Sequence, residues 1–153
     1  MQTGKFTFSM IKPQAVADEK IGQIITMMSE KGFRIAALKL VVLRRKQAET
    51  FYEVHKGKPF FDALVNFMIS GPIVAIVLEK ENAVEDYRKL MGATDPKNAE
   101  EGTIRKLYAT DMQRNAVHGS DSNANARKEI TFFFSRSEIF SKEGFMSENY
   151  CNC

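Results

Sequence analysis

Glycine is sparse in this sequence, nine residues in 153, and no two lie close together. The nearest pairs, Gly22/Gly32 and Gly92/Gly102, are too far apart for a G-x-G-x-x-G turn or a Walker A loop. The same spacing rules out the G-x-S-x-G elbow of a hydrolase. Phosphate chemistry on this chain must therefore rest on side chains and not on a glycine cradle. Cysteine is scarcer still: Cys151 and Cys153, separated by Asn152, are the only two. No further cysteine exists to complete a thiolate metal site, so a solvated tail with two free thiols is preferred over a link between subunits or half of a metal site. No apolar run approaches the length of a membrane span, and Met1 to Lys5 leads straight into Phe6-Thr7-Phe8-Ser9-Met10-Ile11 without a signal-peptide pattern. A cytoplasmic protein with no membrane partner is expected.

What is present fits one compact domain, expected over residues 1–140, followed by a tail over 141–153. The apolar share of 44% and charged share of 27% are ordinary for a globular chain, and a domain of this size folds without disulfides. A net charge of +3 is too mild to argue for nucleic acid. Lys5 to Ile11 alternates as a strand does and stops at Pro13. Ile21, Ile24, Ile25 and Met28 keep helical spacing up to Gly32. Arg34 to Leu43 predicts the next strand. Ala48, Phe51 and Tyr52, then Phe61, Leu64, Val65 and Met68, predict a helical hairpin broken at Gly57 and Pro59. After the Gly71-Pro72 turn, Ile73 to Leu78 is the unbroken apolar run of a buried central strand.

Ala83, Tyr87, Leu90 and Met91 mark another helix closed by Gly92. Residues 93–115 show little periodicity and read as one long loop, a feature that is usually functional in a compact domain. A short strand over Ala116 to His118 and a helix with Ala126, Ile130, Phe133 and Phe134 on one face, started by Asp121 or Ser122, complete the chain. This order predicts an α/β fold of the α+β sandwich type. The natural candidate is the ferredoxin-like βαββαβ with a four-stranded antiparallel sheet, a helical-hairpin insertion and a long loop before the last strand.

Two histidines are available. His55, beside Lys56 and Gly57 at the end of a predicted helix, reads as a polar complement to the helix dipole. His118 stands in Asn115-Ala116-Val117-His118-Gly119-Ser120-Asp121-Ser122, after the long loop and before a helix. Gly119 permits close approach, and Ser120 and Ser122 are small donors. On these local residues alone, a nucleophile and a turn that happens to contain histidine fit equally.

The motif Asn115-x-x-His118-Gly119-Ser120-Asp121-Ser122 resembles the active-site signature of nucleoside diphosphate kinases. Further matches follow in order: Ile11-Lys12-Pro13, Lys58-Pro59-Phe60-Phe61, Ser70-Gly71-Pro72, Arg88, Gly92-Ala93-Thr94-x-Pro96 and Gly102-Thr103-Ile104-Arg105. The resemblance runs from about Phe6 to Phe134. The wording Gly57-Lys58-Pro59-Phe60-Phe61-Asp62 and Glu81-Asn82-Ala83-Val84 is most similar to bacterial members.

The resemblance implies a reversible ping-pong kinase, with ATP or another nucleoside triphosphate as donor and a nucleoside diphosphate as acceptor. It implies that His118 attacks through Nδ1 and that Glu129, otherwise readable as a solvated helix carboxylate, orients it, with Ser120 part of the catalytic set. Lys12 and Tyr52 would approach the γ-phosphate, while Arg88, Thr94 and Arg105 would hold the other phosphates. Asn115, together with Lys12, would hold the ribose hydroxyl. Phe60 would stack on the base, with Met112 as a second wall; a core-only Phe60 would touch no base. Mg²⁺ would ride on the nucleotide phosphates with no protein ligand, since no acidic cage is evident. The family also implies a homo-oligomer, a tetramer or a hexamer.

Departures fall in the long loop: Lys106 and Leu107 follow Arg105 where the family has a small residue and then Asp, and Glu101 precedes Gly102. They bear on loop stability and subunit contacts and leave the phosphate residues intact. Two other readings compete. A phosphohistidine carrier protein would leave Phe60, Asn115 and the scattered arginines unexplained. A nucleic-acid-binding module would rest on Arg44-Arg45-Lys46 alone.

Overall fold

The computed structural model describes residues 4–142 and 144–145; the cysteine pair of the tail lies outside them. Its centre is strand β3, Ile73–Glu79, the apolar run of the sequence. Ile73 through Leu78 are all buried, because helices cover both faces of the sheet. β1 (Phe6–Ile11) lies antiparallel on one side of β3, and β2 (Arg34–Val41) on the other. β4, Val117–Gly119, pairs antiparallel with β1 to give the order β2-β3-β1-β4. This is the antiparallel ferredoxin-like sheet expected from the sequence.

Alternation along the strands sorts side chains into two cores. Phe8, Met10, Ala75 and Val77 face α3 (Arg45–Phe51), α4 (Phe61–Met68) and α7 (Asn123–Phe133). Ile11, Val74, Ile76 and Leu78 face α2 (Ile21–Glu30) and α5 (Ala83–Met91). Of the four residues the spacing names in α2, Ile24 and Met28 are buried and Ile21 and Ile25 are partly buried against the same core. The hairpin α3–α4 is joined by a 3-10 turn, Glu53–His55. Ser122 caps α7, its hydroxyl accepting from the backbone N–H of Asn125 at 3.1 Å.

Several boundaries move. Pro13 ends β1 as expected but also opens a short helix, α1, Pro13–Ala17, at the N-terminal position where its missing N–H costs nothing. The long loop contains a helix, α6, Ile104–Tyr108, capped by the Thr103 hydroxyl. Five residues are too few to display a period. β2 stops at Val41, and a register shift lies between Ile35 and Ala37. Ala116 precedes β4 with φ of 69°, outside the strand conformation expected for it. α7 ends at Phe133, and Phe134 continues in extended backbone while still reaching the core. Short strands β5 (Phe140–Ser141) and β6 (Gly144–Phe145) form a hairpin astride the residue-140 boundary drawn between domain and tail.

Gly119 is a tight point of this packing. A methyl group built on it would lie 2.6 Å from Met91 Cε and 2.9 Å from Tyr87 Cδ1. The Tyr87 ring has little freedom, being edge-on to Phe33 and hydrogen-bonded through its hydroxyl to Ser9 Oγ at 2.6 Å. Gly119→Ala should therefore destabilise the fold by about 1–3 kcal/mol, read as a lower urea midpoint at unchanged slope. An unshifted midpoint would show that α5 yields freely.

Candidate active site

His118 occupies the middle of the three-residue strand β4, directly across from Met10 of β1. Strand alternation turns its ring toward the α3/α7 face, where aromatic side chains wall it. The centroid of Phe51 is 5.3 Å away at 76°, and that of Tyr52 is 6.3 Å away at 90°. Phe8 lies behind at 6.1 Å. The imidazole keeps about 20% of its surface exposed, enough for a ligand to reach it.

A chain of hydrogen bonds fixes the ring. Nε2 lies 2.9 Å and 3.1 Å from the two carboxylate oxygens of Glu129 on α7. The Ser120 hydroxyl donates to Glu129 Oε2 at 2.6 Å, and its own oxygen accepts the backbone N–H of Phe8 at 3.2 Å. An ionised carboxylate only accepts, so in this pair Nε2 donates and carries the ring proton. Nδ1 then holds a free lone pair, and among the described residues nothing hydrogen-bonds to it. The arrangement is that of an imidazole oriented by a carboxylate, with one ring nitrogen able to act as a nucleophile.

Among the described residues, polar groups left without hydrogen-bond partners surround this imidazole. The Tyr52 hydroxyl is buried and unpartnered. Burial, then the nearby Glu129 charge, raises its pKa far above the usual phenol value, so it stays protonated. Asn115 donates Nδ2 to the Met112 carbonyl at 2.9 Å, while its Oδ1 is buried with no partner. Lys12 sits at the β1–α1 junction, its backbone N–H bonded to the Ala116 carbonyl at 2.8 Å. Its side chain is buried, and among the described residues no carboxylate pairs with it. Burial, reinforced by the Arg105 charge, lowers its pKa to about 7. An uncompensated buried ammonium and two orphaned polar atoms are the marks of a site built for a polar, anionic ligand.

Arg105 of α6 is buried and organises the loop. Nε donates to the Asn115 carbonyl, Nη1 to that of Gly92 and Nη2 to that of Val117, at 3.3, 3.1 and 3.0 Å. Three of its five N–H groups are thus used, and two are left for a ligand. Burial and the Arg88 charge both lower its pKa, but a guanidinium stays charged. Arg88, exposed on α5, also acts electrostatically on Asp121. Arg105 is thus coupled to Lys12 on one side and to Arg88 on the other, residues distant in sequence. Thr94 is exposed on the loop, and no hydrogen bond ties it to the His118 cluster among the described residues.

Phe60, 49% exposed, precedes α4, while Phe61 and Leu64 pack on the core as the helical spacing requires. Met112, 62% exposed, lines an open cleft together with Ala63 and Phe67 of α4; Phe60 is not part of that lining. Among the described residues, no group of three or more His, Cys, Asp or Glu side chains could hold a metal ion.

Sequence reasoning missed the Phe8 and Phe51 walls, which helical and strand spacing assign to the core alone. It also missed Ala116, whose left-handed backbone is a strained state for a residue with a Cβ and hands its carbonyl to Lys12. His55 stands at a helix end, as the sequence reading expects of a polar residue there. It closes the 3-10 turn, and burial, then Lys58 and His118, lower its pKa.

The sequence model described as nucleoside diphosphate kinase matches residues 5–139. Proteins of that name from Nitratiruptor, Persephonella marina and Lawsonia intracellularis are 57%, 56% and 55% identical. The alignments cover 86–87% of this chain and 95–97% of those proteins. The crystal structure of the Aquifex aeolicus nucleoside diphosphate kinase superposes with a TM-score of 0.87 at 41% identity, covering 88% of this chain and 98% of that one. The Encephalitozoon cuniculi nucleoside diphosphate kinase gives 0.85 at 40%, covering 91% and 97%.

The Glu129 contact has a direct chemical consequence. A carboxylate accepting from Nε2 makes Nδ1 the better nucleophile, and an amide in its place loses that charge. Glu129→Gln should slow carbethoxylation of His118 by diethyl pyrocarbonate about tenfold or more, by analogy with the loss of a carboxylate behind a histidine elsewhere. Equal rates would show that Glu129 does not tune the ring.

Proposed function

The chain belongs to the nucleoside diphosphate kinase family, and from that premise we propose how its own residues move a phosphoryl group from a nucleoside triphosphate to a nucleoside diphosphate. The observation that carries the proposal is the Nε2–Glu129 bond, which leaves Nδ1 of His118 free. Nδ1 attacks the γ-phosphorus in line. An N–P bond forms, the bridging P–O bond breaks, and the diphosphate leaves with the bond pair. The phosphorylated ring, still protonated on Nε2, is cationic, and the Glu129 carboxylate stabilises it. In the second half-reaction, a terminal oxygen of another diphosphate attacks the same phosphorus and Nδ1 recovers its lone pair.

Little covalent work is needed beyond this, so positioning and charge neutralisation dominate. Lys12 and the protonated Tyr52 hydroxyl serve the γ-phosphate. An ammonium whose pKa burial has lowered to about 7 regains its charge when a phosphate lies beside it. Arg88, Thr94 and the two spare N–H groups of Arg105 serve the remaining phosphates. The unpartnered Oδ1 of Asn115 accepts a ribose hydroxyl. Phe60 stacks on the base, with Met112 opposite, and a π-face accepts any base. Mg²⁺ enters as part of the substrate, bound to phosphates and water. The carrier-protein and nucleic-acid readings are not favoured beside this set.

The proposal extends to a homo-oligomer of four or six copies. β2 is a sheet edge, and Leu38, Leu40 and Val42 line it with roughly half or more of their surfaces exposed, a row that a second copy would cover. Among the described residues no helix is long and apolar enough to cross a membrane, and a cytoplasmic location is part of the same proposal.

Initial rates with ATP varied at several fixed concentrations of GDP test the mechanism. Parallel double-reciprocal lines are expected, with CDP and UDP also accepted. Intersecting lines would mean that both nucleotides bind before transfer and would remove the phosphorylated intermediate.

A further inference from the structure

The mechanism leaves His55 unused, yet its contacts reach into the site from two sides. Its Nδ1 lies 3.1 Å from Lys58 Nζ. An ammonium only donates, so Nδ1 accepts and the ring is neutral with its proton on Nε2. Lys58 in turn stands 5.8 Å from the centroid of Phe60, and the His55 ring itself is 5.3 Å from that of Phe60 at 58°. On its other side His55 stacks on Tyr52, at 6.4 Å and 24°, and Tyr52 is edge-on to His118. The half-exposed Phe60 has little core to hold it. Its tilt depends on this imidazole and on the ammonium that the imidazole anchors.

We propose that His55 is a positioning residue for the base platform: neutral, it holds Lys58 over Phe60, and protonated, it repels Lys58 and loosens the ring. The inference rests on the reading of Phe60 as the surface on which the base stacks. The titratable groups that face His55 are Lys58 from its own turn and His118 from β4, with the neutral Tyr52 phenol between. Burial first, then Lys58 and His118, hold its pKa below the usual 6.5. The ring is therefore neutral at physiological pH, and the contact is lost only as pH falls below that range. Nucleotide affinity should fall with it.

Binding of GDP to the unphosphorylated full-length protein, measured calorimetrically at about pH 7.5 and about pH 5.5, tests this. Wild type is compared with His55→Gln and Phe60→Ala. Glutamine can still accept from Lys58 but does not titrate, and the nucleotide's own protonation is common to all three. Wild type should lose about 5- to 10-fold more affinity on acidification than His55→Gln, the scale of one lost cation–π and hydrogen-bond contact. Phe60→Ala should bind weakly at both values. If Phe60→Ala is weak while wild type and His55→Gln follow one pH profile, the inference is overturned and the platform stands. If Phe60→Ala binds like wild type, the platform reading itself fails, and the inference with it.

Discussion

The bond between His118 Nε2 and Glu129 is the constraint on which the rest of the site depends. It decides which ring nitrogen carries the proton, and so which one keeps a free lone pair. Each partner is placed by a different part of the fold. β4 is only three residues long and owes its position to β1, which aligns Met10 with His118 and Ser9 with Gly119. α7 begins at the Ser122 cap, and Glu129 lies on it so that its carboxylate meets both Nε2 and the Ser120 hydroxyl. Ser120 is itself held by the backbone of Phe8. A shift of any of these elements by a fraction of a hydrogen-bond length would be felt at the imidazole.

Around that pair the protein retains features that oppose its own stability. Among the described residues Lys12 is buried without a counter-charge and the Tyr52 hydroxyl and Asn115 Oδ1 lack partners, while Ala116 adopts a left-handed conformation. The Arg105 guanidinium offsets part of this by tying three loop carbonyls together. Both cores compensate more broadly, with every residue from Ile73 to Leu78 buried between helix layers. A nucleoside polyphosphate would satisfy the deficits at Lys12, Tyr52 and Asn115 at once.

Long periodic segments were the legible part of the sequence. The apolar run of β3 and the helical spacing of Ile21, Ile24, Ile25 and Met28 name their elements directly, because burial on a sheet or helix face leaves a period. α6 left none, being one turn long, and the left-handed backbone of Ala116 has no signature in an alanine. The site was legible differently. His118, Glu129, Lys12 and Arg105 are ordinary residue types, and no local spacing marks them as partners. Only the set of motifs spread along the chain does so, since sheet pairing brings them together across more than a hundred residues. Phe51 was hidden because one side chain serves two purposes: it fills the α3 face and also walls the imidazole.

Locating the phosphate on the intermediate is the most direct test of this account. After brief incubation with Mg·ATP and removal of nucleotide under alkaline conditions, peptide mapping combined with ³¹P NMR distinguishes the two phosphohistidine isomers. The geometry predicts phosphate on Nδ1 of His118, lost in acid and discharged by an added nucleoside diphosphate. Phosphate on Nε2, or on Ser120, would contradict it, because the bond to Glu129 would then not be what directs the chemistry.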